Sequence, residues 1–346
     1  MELSIQEMVK KHVDGIPKCY LVVPEPAVEG KSLPAIPVLD MKTLLAQETR
    51  NSQLHNLDAT CKDWGIFQTL VVMMMMKLVN HGVETLVEKL KYEIHEFYKL
   101  PLEERLKFKI RPGDIEGYGQ TAILTADQKV DWADRFYMFT NPIHIRKPHL
   151  FPELPSSLRE TLEAYIHELQ KLSRALFELI AEALKIERTE IEEMFEDGMQ
   201  SIRMNYYPPC PEPNKVNGLT PHSDATGITI LLQVNGVDGF QVKKDGVWLP
   251  VSPLPHAFVV NIGDVTEILS NGLYKSIEHR VTVNSEKERI TIAMFFNTKL
   301  KAEIGPLPSL LLKQPPLYKS MTAEHYVKDF FSRKLNGKSF LNYMKI

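Results

Sequence analysis

From Ser201 onward the chain stops repeating its apolar residues at helical spacing and begins to alternate them. Seven short runs follow one another: SIRMNYY, GITILLQV, GFQVKK, GVWLPV, AFVVNIGDV, HRVTVN and RITIAMFF. Turn signals separate several of them, at Val237-Asp238-Gly239, Asp245-Gly246 and Asn271-Gly272. Alternation buries one face of a pleated strand, and Asp-Gly or Asn-Gly tolerates the positive φ of a tight turn. Strands this short, repeating at roughly 8–12 residues, predict a sandwich or jelly-roll barrel.

Upstream the period is helical. Val83, Leu86, Val87, Leu90, Ile94, Phe97 and Tyr98 recur at helical spacing until Pro101 stops the run. Leu158, Leu162, Ile166, Leu169, Leu172, Leu176, Leu179, Ile180 and Ala183 make a longer stripe, with Ser157 and Glu160 placed to form a capping box. The first forty residues read as a short helix and a proline-rich arm, IPVLD (Ile36 to Asp40) as an entering strand, and Thr322 to Met344 as an amphipathic helical end. Helices first and a β-barrel afterwards predict an α+β fold in which helices back one double sheet.

Composition narrows the function. The 346 residues are 44% apolar and 25% charged, ample for a core. A net charge of −3 without a basic block offers no field for nucleic acid or an anionic membrane. The expected partner is a small-molecule substrate and the expected state a monomer. Cys19, Cys61 and Cys210 are odd in number and scattered, which predicts a reducing, cytoplasmic setting. The N-terminal stretch lacks the continuous apolar region of a secretory signal. The run TLVVMMMMK, Thr69 to Lys77, is shorter than the about 20 apolar residues that span a bilayer.

Chemistry enters at LTPHSDATG. His222 and Asp224 are two apart, so on a strand they share a face. The triplet alone is weak. His279, 57 residues later in SIEHRV, adds a second imidazole. Two histidines and a carboxylate are the facial triad of non-haem Fe(II) oxygenases, which leaves positions open for an oxidising co-substrate and O2. No thiolate is placed to favour zinc. Ten residues beyond His279, Arg289 shares a strand face with Thr291, a guanidinium and a hydroxyl suited to hold a carboxylate. Tyr207 and Asn205, in NYYPPC, are placed to add polar contacts.

This constellation resembles the plant 2-oxoglutarate- and Fe(II)-dependent dioxygenases. The likeness runs nearly end to end, through IPVLD, WGIFQ, VNHGV, GYGQ, DWADRFYMF, RKPHLFPELP, NYYPPCPEP and NIGDVTEILSNGLYKSIEHR. In wording it is most similar to the subgroup of senescence-related dioxygenases and benzylisoquinoline-alkaloid O-demethylases. The resemblance implies a double-stranded β-helix (jelly-roll) core with His222, Asp224 and His279 on iron. It implies Arg289, helped by Thr291, Tyr207 and Asn205, on 2-oxoglutarate, and Phe295 against the organic substrate. Thr291 stands where the family usually has serine, which keeps the hydroxyl. The implied reaction is C–H oxidation of a specialised metabolite, by hydroxylation or O-demethylation, with O2 as co-substrate, ascorbate in support, and succinate and CO2 released. An ascorbate-dependent oxidase of the same fold and an inactive small-molecule-binding relative are the alternatives. The expected segments are an N-terminal dioxygenase region (1–150), backing helices (151–195), the jelly-roll core (196–300) and a helical C-terminal segment (301–346).

Other polar residues read as structural. His81, in VNHGV, lacks a partner at ligand spacing, and His256 belongs to a turn. Asp264, after Gly263, orders a turn. In the cluster Asp131, Trp132 and Asp134, Trp132 is a packing anchor. Cys210 lacks a basic neighbour that would make it a nucleophile. Tyr118 and Phe136 are candidates to border the substrate pocket. One stretch interrupts the resemblance: relatives pass from WGIFQ straight into LVNHGV, so Thr69 to Lys77 reads as a nine-residue insertion. A retained-intron or gene-model remnant is the preferred explanation and a lineage-specific loop the second.

Overall fold

The computed structural model describes residues 4–11, 15–23, 25–27, 34–70, 83–120, 128–312 and 314–346. The methionine run (Met73 to Met76), Lys77 and His81 lie outside them. Twelve strands carry the architecture: β1 (Val38–Asp40), β2 (Ile66–Leu70), β3 (Gly117–Gly119), β4 (Asp134–Asn141), β5 (Gln200–Tyr207), β6 (Leu219–His222), β7 (Ile228–Gln233), β8 (Phe240–Lys244), β9 (Val247–Pro250), β10 (Ala257–Ile262), β11 (His279–Val281) and β12 (Arg289–Phe296). They form an eight-stranded sheet in the order β1-β2-β10-β7-β12-β5-β4-β3 and a four-stranded sheet in the order β6-β11-β8-β9.

Alternation along each strand gives the large sheet two apolar faces. On β12, Ile290, Ile292, Met294 and Phe296 join the core on the helix side, with Ile202 and Met204 of β5 and Ile230 and Leu232 of β7. The intervening Ala293 joins a second core with Leu231, Val259 and Tyr207. The small sheet closes that second core through Leu219, Phe240, Val242 and Val281. The result is the expected α+β jelly roll, with the site between the sheets.

The long helix Ser156–Leu184 buries Leu158, Leu162, Ile166, Leu169, Leu172, Leu176, Leu179 and Ile180, the stripe read from sequence. Its start differs from expectation. Pro155 is the N-cap and no side chain caps the end, while Ser157, already helical, donates to Glu93 of the helix Val83–Lys99. A proline there needs no cap partner for its own nitrogen and presets the entry. The C-terminal segment is two helices, Ala323–Phe331 and Ser339–Tyr343, split around Gly337.

The segment boundaries at 150 and 196 do not divide the sheet. β2 pairs with β10, and β4 with β5, so strands from before residue 150 complete the sheet of the C-terminal core. Long-range pairing, invisible to a local period, decides this. Between β8 and β9, Asp245 and Gly246 take φ 51 and 80, the hairpin turn expected of Asp-Gly. Gly65, in WGIFQ, has φ 64, and a Cβ there would stand 1.9 Å from the Lys275 carbonyl. The neighbouring Thr69 and Leu70, first residues of the apparent insertion, are the last two of β2, opposite Phe258 and Ala257.

Candidate active site

Three buried residues converge where β6 and β11 meet. His222 and His279 are direct cross-strand partners. Their ring centroids are 4.3 Å apart. Asp224, just past the end of β6, brings Oδ1 to 3.4 Å from His222 Nε2 and 3.6 Å from His279 Nε2. His222 Nδ1 lies 2.8 Å from the Thr220 carbonyl and His279 Nδ1 3.1 Å from the Ile277 carbonyl. A carbonyl only accepts, so Nδ1 carries the proton in each ring and the Nε2 lone pairs face Asp224. All three ligand atoms lie within 4.8 Å of one another. Burial pushes the His279 imidazole down to about 4, with Asp224 opposing, so the ring is neutral near pH 7. Asp224 is held below the usual carboxylate range because the two imidazoles outweigh its burial. Neutral imidazoles and an anionic carboxylate are the donor set of Fe(II), and the residues fit that ion.

Two supports were not anticipated. Asn261 of β10 donates to the second Asp224 oxygen at 3.5 Å. Asp264 opens a short helix, Asp264–Leu269. Its backbone N–H bonds the Asp224 carbonyl at 2.7 Å, and its carboxylate accepts from Ser223 at 3.0 Å. The turn role read for Asp264 is thus a brace under the metal loop. Such supports orient ligands, and only the fold brings them to the loop.

On the facing sheet, Arg289 and Thr291 point inward from β12. Arg289 pairs with Tyr207, and Thr291 with Asn205, across the β12–β5 ladder. Asn205 Nδ2 donates to Thr291 Oγ1 at 3.2 Å. The Arg289 side chain is 1% exposed, lies 5.4 Å from the Tyr207 ring, and donates to Gln233 from Nη2 at 3.1 Å. Its Nε and Nη1 are buried without partners. Burial lowers the guanidinium's pKa from the ordinary arginine value. A buried fork with two unsatisfied donors calls for a carboxylate, and the residues fit 2-oxoglutarate. Gly239, with φ 151, admits this arrangement, since a Cβ there would meet the Thr282 carbonyl at 2.5 Å and Arg289 Cδ at 3.2 Å.

A cavity of about 470 Å³ opens beside His222 and Asp224. Phe295 lines it. Tyr118 and Phe136 do not. They pair with each other across β3 and β4 on the helix side of the sheet. Tyr118 accepts from Arg105 at 2.5 Å, and Phe136 stacks on Phe97 at 5.4 Å. The cavity receives the alternate residues of β4, Arg135, Tyr137 and Phe139, because a one-residue step on a strand changes face. The period-two pattern of DRFYMF groups Arg135 with Tyr137 and Phe139, and the sheet register decides which set meets the cavity. Val327, Phe330 and Phe331 of the helix Ala323–Phe331 form an apolar wall. Nothing local in the sequence brings that helix to the site.

Asp131 and Asp134 serve architecture. Asp131 accepts from the Thr220 backbone N–H at 2.8 Å and hydroxyl at 2.7 Å. Asp134 accepts from Ser4 Oγ and the Ile5 and Gln6 backbone, pinning the N-terminal helix. Trp132 packs edge-on to Tyr20 at 5.4 Å. Burial pushes the Cys210 thiol up to about 11, which leaves it unreactive. His256 sits exposed in a turn at φ 59.

Jelly roll, triad and buried arginine together define a non-haem iron oxygenase that uses 2-oxoglutarate, and residues 198–298 match the 2OG-Fe(II) oxygenase superfamily. Residues 36–154 match the non-haem dioxygenase in morphine synthesis N-terminal family. The chain belongs to the 2OG-Fe(II) oxygenase superfamily and is an oxidoreductase. It is 48% identical to Protein SRG1 of Arabidopsis thaliana, over 99% of this chain and 96% of that protein. It is 46% identical to the oxoglutarate-dependent flavonoid 7-O-demethylase 1 of Ocimum basilicum, over 99% and 91% of the two chains. It is also 46% identical to codeine O-demethylase of Papaver somniferum, over 99% and 96%. Among solved structures, JOX2 in complex with 2OG, Fe and JA superposes with a TM-score of 0.88 at 34% identity, covering 100% of this chain and 98% of that one. No helix among the described residues is long and apolar enough to cross a membrane.

Proposed function

We propose that this chain oxidises a C–H bond of a specialised plant metabolite, by hydroxylation or O-demethylation, with succinate and CO2 as co-products. The observation that carries the reading is one cavity reaching both the His222–Asp224 side of the triad and Phe295 on the Arg289 strand. The two O-demethylases at 46% identity support the demethylation arm. Bound iron(II), 2-oxoglutarate and O2 would supply the oxidising power. His222, Asp224 and His279 would hold the metal from one side and leave the cavity side open. Arg289 and Thr291 would bind the far carboxylate of 2-oxoglutarate, with Asn205 fixing the Thr291 hydroxyl. Phe295, Val327, Phe330 and Phe331 would position the organic substrate and keep water away. Hydroxylation of an O-methyl carbon gives a hemiacetal, which collapses to formaldehyde and a free hydroxyl.

The enzyme is expected to act as a cytoplasmic monomer with ascorbate in support; its three cysteines are unpaired, which favours a reducing compartment. The test is aerobic incubation with Fe(II), 2-oxoglutarate, ascorbate and a panel of methoxylated flavones, phenolic acids and alkaloids. Substrate-dependent succinate release, with formaldehyde for methyl ethers, is expected. No succinate above the His279→Ala variant across the panel would overturn the reading, and turnover without 2-oxoglutarate would favour an ascorbate-dependent oxidase.

A further inference from the structure

The inward face of the large sheet is a grid whose rows follow from the strand register. Gln233, Thr291, Asn205 and Arg135 form one row across β7, β12, β5 and β4. Leu231, Ala293, Arg203 and Tyr137 form the next, toward Phe295 and Ser201. Rows two residues apart are about 7 Å apart, and two strand spacings are about 10 Å. Arg135 therefore stands about 10 Å across the sheet from Thr291, beside the co-substrate clamp and not within it.

Arg135 and Arg203 both line the cavity. Each has its Nε buried without a partner. Neither guanidinium has a hydrogen bond or ion pair among the described residues; Arg135 only faces the Tyr137 ring, at 5.8 Å. Burial, and then the charge of Arg203, push Arg135 down to about 9, so it is still a cation at neutral pH. The neighbouring carboxylate, Asp131, already accepts two bonds from Thr220. Lys129, Arg333 and Lys334 also line the cavity, against Asp131 and the metal-facing Asp224 as the carboxylates among the described residues. Iron(II) and 2-oxoglutarate would cancel each other's charge. Two adjacent half-buried cations, with buried Nε atoms and only the charge of Asp131 to offset them, are unfavourable in the empty protein and call for an anion.

We propose that Arg135 and Arg203 bind an anionic oxygen group of the organic substrate, a carboxylate or ionised phenol, and that this cavity selects against protonated amines. The inference rests on the oxygenase reading and narrows its substrate class. Arg135 and Arg203 are specificity residues, with the apolar wall of Val327, Phe330 and Phe331 taking the rest of the molecule.

The test is anaerobic calorimetry on the protein loaded with Fe(II) and 2-oxoglutarate. The probes are 6-methoxy-2-naphthoate, its methyl ester, and (6-methoxynaphthalen-2-yl)methylamine, which share one ring system. The carboxylate is expected to bind on the order of tenfold or more tighter than the ester, with the amine weakest. Arg135→Met should erase the carboxylate preference, and Arg135→Lys should keep part of it. Arg135→Met should also raise the melting temperature of the metal-free protein, where a structural arginine would lower it. Equal binding of the three probes, tighter amine binding, or a preference unchanged in Arg135→Met would overturn the proposal. So would a naphthoate that competes with 2-oxoglutarate, since it would then sit on Arg289. Titration with 2-oxoglutarate alone separates the two levels: failure there sinks the oxygenase reading, whereas intact 2-oxoglutarate binding without probe selectivity sinks only this inference.

Discussion

At the scale of single residues, the site depends on groups that are buried and incompletely satisfied. Arg289 has two free donors and one bond, to Gln233. Arg289→Lys keeps the charge but loses the planar fork, so calorimetry should show 2-oxoglutarate binding weakened about tenfold or more, with triad metal binding unchanged. Equal affinity would place the co-substrate elsewhere. Asp264 makes a pH prediction. Burial pushes its carboxyl up to about 7 from the ordinary aspartate value of 3.8, with Ser276, Lys338 and Ser223 opposing. The folded state thus keeps a proton that the unfolded chain releases. Its contribution to stability is full below 3.8 and is lost as pH rises through about 7. Asp264→Asn has no such loss, so melting curves should show the variant gaining on wild type as pH rises from about 4 to about 7. Parallel curves would refute the assignment.

At the scale of elements, the long helix and β2 offer contrasting cases. Leu176 is fully buried on the helix Ser156–Leu184, away from the cavity. Leu176→Ala should cost about 2–5 kcal/mol by denaturant titration while leaving the KM for 2-oxoglutarate unchanged. β2 bears on the apparent insertion. Thr69 is completely buried, with its hydroxyl unpartnered. Excising Thr69 to Lys77 would bring Leu78 and Val79 into the positions that Thr69 and Leu70 hold against Phe258 and Ala257. An apolar residue would then fill a site where the Thr69 hydroxyl lacks a partner. The excised protein should melt higher and keep 2-oxoglutarate turnover; lower stability would show the nine residues to be a working part of the fold.

At the scale of the whole molecule, the C-terminal segment closes the site. Gly337 bonds Pro221 and Ser223 through its backbone, beside the ligand His222. Lys338 donates to Glu267 at 2.9 Å and to the Ser276 carbonyl at 2.8 Å. That anchor holds the helix Ala323–Phe331, whose apolar side walls the cavity. Lys338→Met should raise the KM for the organic substrate and the fraction of 2-oxoglutarate consumed without product, leaving 2-oxoglutarate affinity unchanged. An unaltered coupling ratio would show that the segment stays in place without the anchor.

The sequence alone determined what local periodicity and side-chain chemistry can encode. Alternation after Ser201 specified strands, the leucine stripe specified the backing helix, and the types and spacing of His222, Asp224, His279, Arg289 and Thr291 specified a donor set and a carboxylate clamp. Tertiary structure decided whatever depends on partners distant in the chain. Pairing of β11 with β6 put His279 opposite His222, and β4 joined the sheet through β5. The faces of β3 and β4 were settled by that register, which sent Tyr118 and Phe136 into the helix-side core and turned Arg135 and Tyr137 to the cavity. Asn261, Asp264 and the C-terminal wall were likewise illegible, because no local period reports contacts made across the fold. Residue type fixed which chemistry the site can hold, and long-range register fixed where each side chain points, since a shift of one residue along a strand exchanges its two faces.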